Sequence, residues 1–261
     1  MALSKTEAIV LRTRRQGETS KILSLYTLHY GRISVMAKGA RSIKSRYGGV
    51  LEPQTHIGLV YYRYETRELQ YLSQAEIISP FAKLHEQLGR MALAAIPCEM
   101  VERNEANGHV NPALFHLLLS TLTVIDGAEK GYRNAVRAFM VRYMEHSGFK
   151  PDFAHCRGCG QEQSGEGSFF DYSKGGFVCD SCSGPLGEGQ KLGAAVLKRL
   201  HYFLHAPLEK SVQVNVDAAQ GREMDRFLLS YMQYHIETLH HLNSIIYLDK
   251  IQSSLRNSET R

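Results

Sequence analysis

Long apolar runs are missing from this sequence of 261 residues. The longest strictly apolar run covers residues 91–98 and is far shorter than the roughly 18 residues that a membrane span requires. The N-terminus lacks the apolar core of a signal peptide, and the composition excludes collagen, coiled coils and acidic tails. These absences predict a cytoplasmic globular protein, and the chain length favours two domains.

The signatures of common enzymes are also missing. The sequence contains no G-x-x-x-x-G-K-[ST], no G-x-G-x-x-G after a strand, no H-E-x-x-H and no G-x-S-x-G. We therefore predict a protein that is not an enzyme. A nuclease remains an alternative, because catalytic acids need not be close in sequence. Such an enzyme would need clustered carboxylates to hold metal ions, whereas the acids of the first 80 residues are few and scattered.

Acidic residues are scarce in the first third of the chain. Residues 1–80 carry 12 Lys/Arg against 6 Asp/Glu, whereas the remainder carries 19 against 20. Between residues 12 and 46 a single acid, Glu18, accompanies nine basic side chains. Such a field attracts nucleic acid or an anionic membrane surface, although it can also be a solvated face without a ligand. The candidate nucleic-acid-binding residues are Arg12, Arg14, Arg15, Lys21, Arg32, Lys38, Arg41, Lys44 and Arg46.

Period-two alternation over the first 80 residues predicts five short strands. They are bounded by turn residues and cover residues 7–13, 20–27, 32–37, 56–62 and 69–78. Five short strands fit a small closed barrel, of which the OB-fold is the commonest nucleic-acid binder and the SH3-like barrel the rival. Seven tyrosines in this segment could stack on bases or pack in the barrel: Tyr26, Tyr30, Tyr47, Tyr61, Tyr62, Tyr64 and Tyr71.

At Pro80 the pattern changes to a helical period, which places a domain boundary there. Pro97 is expected to kink or end the first helix. Further helices are predicted over residues 112–125, 132–147, 193–205 and 222–242. The fold class is therefore α+β: a barrel over residues 1–80 and a helical domain over residues 81–251. Residues 252–261 form a polar tail that we expect to be disordered.

Four of the five cysteines form two C-x-x-C pairs, which are separated by 19 residues. Each pair offers two thiolates from one tight turn, so the two pairs predict a tetrahedral zinc site at Cys156, Cys159, Cys179 and Cys182. A closed site of this kind has no position for substrate, so we expect one structural zinc per chain. It would hold a module over residues 153–185, whose polar segment 164–176 is too poor in apolar residues to fold alone. Four unrelated thiols and a redox pair are the alternatives.

Several segments together resemble the RecO family of bacterial DNA repair proteins. The resemblance covers nearly the whole chain and rests on short motifs spread along it. These motifs are Gly17-Glu18, Ser20-Lys21-Ile22-Leu23, Lys38-Gly39-Ala40-Arg41, Leu51-Glu52-Pro53, Gly148-Phe149-Lys150-Pro151-Asp152-Phe153, the first cysteine pair with Gly160, and Gly175-Gly176-Phe177-Val178-Cys179.

The resemblance implies an OB-fold followed by a helical domain with an inserted four-cysteine zinc module. It also implies a recombination mediator that binds single- and double-stranded DNA, anneals strands coated with single-strand-binding protein, and helps RecR to load RecA. Such a protein would be cytoplasmic and associated with the nucleoid. The tail of single-strand-binding protein would contact the helical domain, where Arg133, Arg137 and Arg142 suit an acidic peptide. From the barrel and the cysteines alone, an RNA-binding protein remains an equal alternative.

Overall fold

The computed structural model describes residues 2–42, 45, 47–162, 167–182 and 187–259, with the backbone alone for residues 252 and 254–259. The chain forms two compact units. The first unit consists of Met1–Gly127 with His241–Arg261, and the second of Ala128–His240. No helix among the described residues is long and apolar enough to cross a membrane.

The N-terminal segment folds into five strands, as predicted. The strands are β1 (Ala2–Gln16), β2 (Ser20–Thr27), β3 (Gly31–Ala37), β4 (His56–Arg63) and β5 (Leu69–Ser79). They close into a barrel in the order β1-β2-β3-β5-β4, in which β3 and β5 run parallel and β4 pairs antiparallel with β1. This order, with its parallel closing pair, is the arrangement of an OB-fold, which confirms the first of the two predicted barrels.

The length of β1 allows the barrel to close. Its first half pairs with β4 and its second half with β2, and the register shifts between Val10 and Arg12. Such a bulge bends a strand so that it can serve two neighbours. Beyond it, alternate side chains face inwards, and Leu23, Leu25 and Val35 are buried in the barrel core. Alternation therefore leaves Arg12 and Arg14 on the outer face.

Four helices complete the first unit: α1 (Ala82–Glu86), α2 (Leu88–Asn104), α3 (Pro112–Gly127) and, from the end of the chain, α7 (Asn243–Glu259). Because α2 packs against β1, these helices and the barrel form one compact unit. The compact unit extends past Pro80, where the strands give way to helices as predicted. It depends on contacts between segments that are distant in sequence.

Two features of these helices differ from the predictions. Helix α2 continues through Pro97 to Asn104, although proline removes a backbone donor. Pro97 is buried within α2, and we attribute the continuation to this packing, because most helical stability in proteins comes from burial of a face. Helix α7 continues to Glu259, so the backbone of residues 252–259 is helical where a disordered tail was predicted.

The second unit contains helices α4 (Tyr132–His146), α5 (Ala194–His205) and α6 (Ala218–His235). It also contains a small antiparallel sheet, in the order β7-β6-β8, that the sequence analysis did not predict: β6 (Gly167–Asp171), β7 (Gly176–Val178) and β8 (Gly189–Gly193). The polar segment 164–176 was predicted to be unable to fold alone. Its strand β6 is stabilised by Phe170, which is fully buried and packs edge-to-face on Phe227 of α6.

Candidate metal centre and nucleic-acid interface

The four paired cysteines converge on one point of the second unit. Cys156 and Cys159 lie on a turn before β6, and Cys179 and Cys182 follow β7 on another turn. Their four Sγ atoms lie within 4.8 Å of one another, and Sγ of Cys159 is 3.8 Å from Sγ of Cys179. Tetrahedral zinc with Zn–S bonds of about 2.3 Å places its sulfurs about 3.8 Å apart. The cluster is therefore one at which a metal could bind.

Backbone amides stabilise the thiolate of Cys156. The amides of Gly158 and Cys179 lie 3.4 and 3.3 Å from its Sγ and donate to it. Burial raises the pKa of the Cys156 thiol, but the amides outweigh burial and lower the pKa to about 6. By contrast, hydrogen bonds with Cys179 and the other thiols raise the pKa of Cys182. Four sulfurs so close together repel one another as thiolates, which a bound cation would relieve.

The first cysteine turn requires glycine at its centre. A Cβ at Gly158 would lie 2.8 Å from Cβ of Cys182, so any larger residue would separate the two pairs. The turn is attached to the small sheet because the amide of Arg157 donates to the carbonyl of Phe177 at 2.9 Å. Phe153, just before the turn, packs on Phe170 and Phe227. The cysteine module therefore rests on the aromatic core of the second unit.

The outer face of β1, β2 and β3 carries three of the nine predicted basic side chains, with Glu102, in a groove of about 150 Å³. Arg12 and Arg14 of β1 border the groove with Ser24 of β2 and Arg32 of β3. Ser24 lies directly opposite Arg12 in the strand register and opposite Ser34 on its other side. Short hydroxyl side chains between arginines leave the guanidinium groups accessible, so this face could contact phosphates.

Four of the predicted basic residues have partners within the protein. Arg12 lies 3.6 Å from Glu102 and is still 61% exposed, whereas Lys21 forms a 2.8 Å ion pair with Glu52. Arg32 donates through Nε to the carbonyl of Glu105 at 2.8 Å. Arg41 donates to the carbonyls of residues 17 and 18 and so joins two loops of the barrel. Lys21 and Arg41 consequently have structural roles that reduce their availability to a ligand.

The remaining basic residues are more accessible. Arg14 and Arg15 are exposed, and among the residues that the structure describes they have no acidic partner. Lys38 is also exposed, and its Nζ lies 5.1 Å from the ring centroid of Tyr71. Lys44 and Arg46 lie outside the described residues. Sequence reasoning missed Glu102, since it comes from α2, about 90 residues after Arg12, and no local pattern connects them.

The seven tyrosines divide into two groups. Tyr26, Tyr47 and Tyr61 are buried, and burial raises the pKa of Tyr61 to about 12. These three belong to the protein interior. The others are half-buried or exposed and remain available for stacking: Tyr30, Tyr62, Tyr64 and Tyr71.

The three arginines predicted to bind an acidic peptide have intramolecular partners in the second unit. Arg137 is 6% exposed and donates through Nε and Nη2 to both carboxylate oxygens of Asp225. Arg133 lies 2.9 Å from the same carboxylate, and Arg142 donates to the carbonyls of Phe203 and Ala206. Their structural bonds weigh against a peptide site at Arg137 and Arg142. The side chain of Arg133 is 39% exposed.

An OB barrel with a basic outer face, followed in the chain by helices and a four-cysteine module, defines a class of OB-fold proteins with an appended cysteine module. Residues 1–81 match the family described as Recombination protein O N terminal, and residues 85–244 match Recombination protein O C terminal. The chain therefore belongs to the RecO family of DNA repair proteins.

Relatives described as DNA repair protein RecO cover nearly the whole chain. The relative from Alkaliphilus metalliredigens is 32% identical over 249 residues, which is 95% of this chain and 100% of that protein. The relative from Pelotomaculum thermopropionicum is 33% identical over 96% of this chain and 95% of its own length. The relative from Symbiobacterium thermophilum is 30% identical over 97% of this chain and 100% of its own length.

Proposed function

We propose that this protein is a DNA-binding mediator of recombinational repair that binds single- and double-stranded DNA and anneals complementary strands without being an enzyme. The observation that carries the proposal is the groove on the barrel. Arg12 and Arg14 of β1 and Arg32 of β3 border it from the two sides of β2. Phosphates of either form of DNA can bind such a face, since phosphate contacts do not depend on base sequence. Membership of the RecO family supports DNA as the polyanion.

Annealing follows from charge alone. Two complementary strands repel one another as polyanions, and a cationic surface that binds both lowers this repulsion. Base pairing then supplies the favourable free energy of annealing. No covalent bond has to form or break in the protein or the DNA. The accessible guanidinium groups of Arg14 and Arg15 are the side chains that we expect to contribute most.

We assign the partners on the basis of the family. RecR would cooperate with the protein in loading RecA on single strands coated by single-strand-binding protein, in the cytoplasm and close to the nucleoid. The acidic tail of single-strand-binding protein would bind the second unit. Arg133 is the candidate contact with that tail, because its side chain is 39% exposed even though it pairs with Asp225. Arg137 and Arg142 each donate to several groups within the protein.

The four-cysteine cluster would hold one structural zinc. Thiolate sulfurs favour zinc over the hard cations, and four protein ligands leave no open position for water or substrate. Zinc bound there would neutralise the thiolates and join the turn that precedes β6 to the turn that follows β7. The metal would thereby stabilise the second unit without taking part in DNA contacts.

A strand-annealing assay tests the proposed function. Two complementary oligonucleotides, one carrying a fluorophore and the other a quencher, are mixed with and without the protein, both naked and coated with single-strand-binding protein. We expect the protein to accelerate quenching and the Arg14→Ala/Arg15→Ala variant to do so less. The Lys191→Ala/Lys198→Ala variant, which removes two exposed charges from the second unit, is the matched control. Absence of acceleration, or tighter binding to RNA than to DNA of the same sequence, would contradict the proposal.

A further inference from the structure

A second concave surface lies on the first unit, beside the basic groove. It is a cleft of about 560 Å³ between the β2–β3 turn, the β4–β5 loop and the segment around residue 108. Two half-buried tyrosines, Tyr30 and Tyr64, line it together with Arg63 and Arg67. These two arginines lie outside the basic run of residues 12–46 and were not among the predicted nucleic-acid-binding residues.

Each of the two tyrosines is paired with an arginine. The guanidinium carbon of Arg63 lies 4.9 Å from the ring centroid of Tyr30, and that of Arg67 lies 4.7 Å from the ring centroid of Tyr64. Such cation–π pairs hold both groups in place. Aromatic rings and guanidinium planes are also the two protein groups on which unstacked bases stack. The cleft thus presents two short stacks that a base could extend.

A buried glutamine holds the β4–β5 loop in shape. Gln70 is 7% exposed, and its Oε1 accepts from the amide of Tyr64 at 2.7 Å. Its Nε2 donates to the carbonyls of Tyr64 and Arg67. One side chain therefore fixes the backbone at both residues that form the second stack. A loop fixed in this way loses little conformational entropy when a ligand binds.

The opposite wall of the cleft is equally constrained. Gly31, at the β2–β3 turn, has φ of +62° and lies so close to the backbone of His109 that a Cβ would be 2.1 Å from its carbonyl oxygen. The amide of Gly108 donates to the carbonyl of Arg32 at 2.9 Å. The two walls are thus held by backbone contacts, and the cleft exists before any ligand binds.

The charges in the cleft favour bases over a dense row of phosphates. Glu65 and Glu68 line it beside Arg63 and Arg67, so the basic side chains are partly offset by acids. We propose that this cleft binds unstacked bases of single-stranded DNA on the Tyr30–Arg63 and Tyr64–Arg67 pairs. This inference rests on the proposed function and adds a base-binding site to the phosphate-binding groove.

Arg32 connects the two surfaces. It borders the groove with Arg12 and Arg14, and it also lines the cleft. A single strand whose phosphates lie along the groove can therefore continue past Arg32 and place its next bases in the cleft. Double-stranded DNA can use the groove alone, since its bases are stacked and paired.

Abasic DNA distinguishes the cleft from the groove. We would measure by fluorescence anisotropy the affinity of the full-length protein for a thymine oligonucleotide of about 12 nucleotides, and for an abasic oligonucleotide with the same number of phosphates. Each stacked base increases affinity by about 5-fold to 100-fold. We therefore expect the wild-type protein to bind the thymine oligonucleotide at least about fivefold more tightly than the abasic one.

Variants assign this preference to the cleft. Tyr30→Leu/Tyr64→Leu should reduce the ratio of the two affinities to near one, whereas Tyr30→Phe/Tyr64→Phe should keep it. Tyr62→Leu is the matched control. Tyr62 is exposed near the end of β4, two residues before Tyr64, but does not line the cleft. Arg14→Ala/Arg15→Ala should weaken binding of both oligonucleotides equally and leave the ratio unchanged.

The outcomes separate the two proposals. A wild-type ratio near one, or a ratio that the Leu variant leaves intact, overturns the cleft as a base-binding site while the groove remains a DNA site. Failure to bind either oligonucleotide overturns both. If the Leu variant does not fold by circular dichroism, photocrosslinking of wild-type protein to 5-iodouracil DNA decides the question. Crosslinks mapped by mass spectrometry to Tyr30 or Tyr64 support the inference, and crosslinks confined to other residues overturn it.

Discussion

The salt dependence of DNA binding tests how many basic side chains of the barrel contact phosphates. Removal of Arg14 and Arg15 is the sharpest perturbation, because both are exposed and, among the described residues, have no acidic partner. Their loss should leave the barrel intact, since neither contributes to its core. The variant Arg14→Ala/Arg15→Ala therefore reports on ligand contacts with little effect on stability.

The structure suggests the size of the effect. Lys21 and Arg41 are engaged with Glu52 and with loop carbonyls. Five other described candidates remain: four exposed residues, Arg12, Arg14, Arg15 and Lys38, and the half-buried Arg32, which borders the groove. If each neutralises one phosphate of a single strand, log K falls with log salt at a slope of about −3.5. A rise from 50 to 200 mM salt then weakens binding roughly a hundredfold. The variant should have a slope of about −2 and lose only about twentyfold.

Fluorescence anisotropy titrations at four salt concentrations would measure both slopes. The Lys191→Ala/Lys198→Ala variant removes the same charge from exposed positions of the second unit, and its slope should equal that of the wild type. If the Arg14→Ala/Arg15→Ala slope is unchanged, these arginines do not contact phosphate. If Lys191→Ala/Lys198→Ala makes the slope less steep by as much as Arg14→Ala/Arg15→Ala does, the assignment of the DNA site to the barrel is wrong.

Three further predictions concern stability and metal content. Elemental analysis should find one zinc per chain, and Cys156→Ser should lose it together with several kcal/mol of stability of the second unit; a full complement of zinc in this variant would contradict the assignment. Arg137→Ala should destabilise the fold by roughly 2 to 4 kcal/mol in urea denaturation, since it breaks a bidentate pair with Asp225, and a change below about 0.5 kcal/mol would place Arg137 among ordinary surface residues. Glu99 accepts from the amides of Asn243 and Ser244 at the start of α7. Burial raises its pKa, but these bonds outweigh burial and lower the pKa below the ordinary value of 4.5. The carboxylate therefore stabilises the fold above about pH 4.5 and loses this contribution as pH falls through the lowered pKa. Glu99→Gln should therefore lose less stability than the wild type as the pH falls from 7 to below that lowered pKa.

Local patterns were sufficient for the barrel strands. Strand β2 was predicted at its observed bounds and β3, β4 and β5 within one residue, because alternating burial imposes a period of two that is visible in the sequence. Strand β1 begins five residues before its predicted start and ends three residues after its predicted end. The cysteine cluster was also predicted from a local pattern, because two C-x-x-C turns are typical of a tetrahedral metal site. Pro97 was predicted to kink or end the first helix, but α2 does not end there, because the burial of a helix face can outweigh local propensity.

The strand order and the intramolecular partners of individual side chains could be learned only from the tertiary structure. Alternation does not indicate which strands pair, so the parallel contact of β3 and β5 that decides between the two barrels could not be read from the sequence. Likewise, nine basic residues look equivalent in the sequence, but Lys21 pairs with Glu52 while Arg14 is accessible. The cleft at Tyr30 and Tyr64 joins residues more than 30 positions apart. Period and spacing are local properties of the chain, whereas pairing, burial and charge neutralisation depend on residues that only folding brings together.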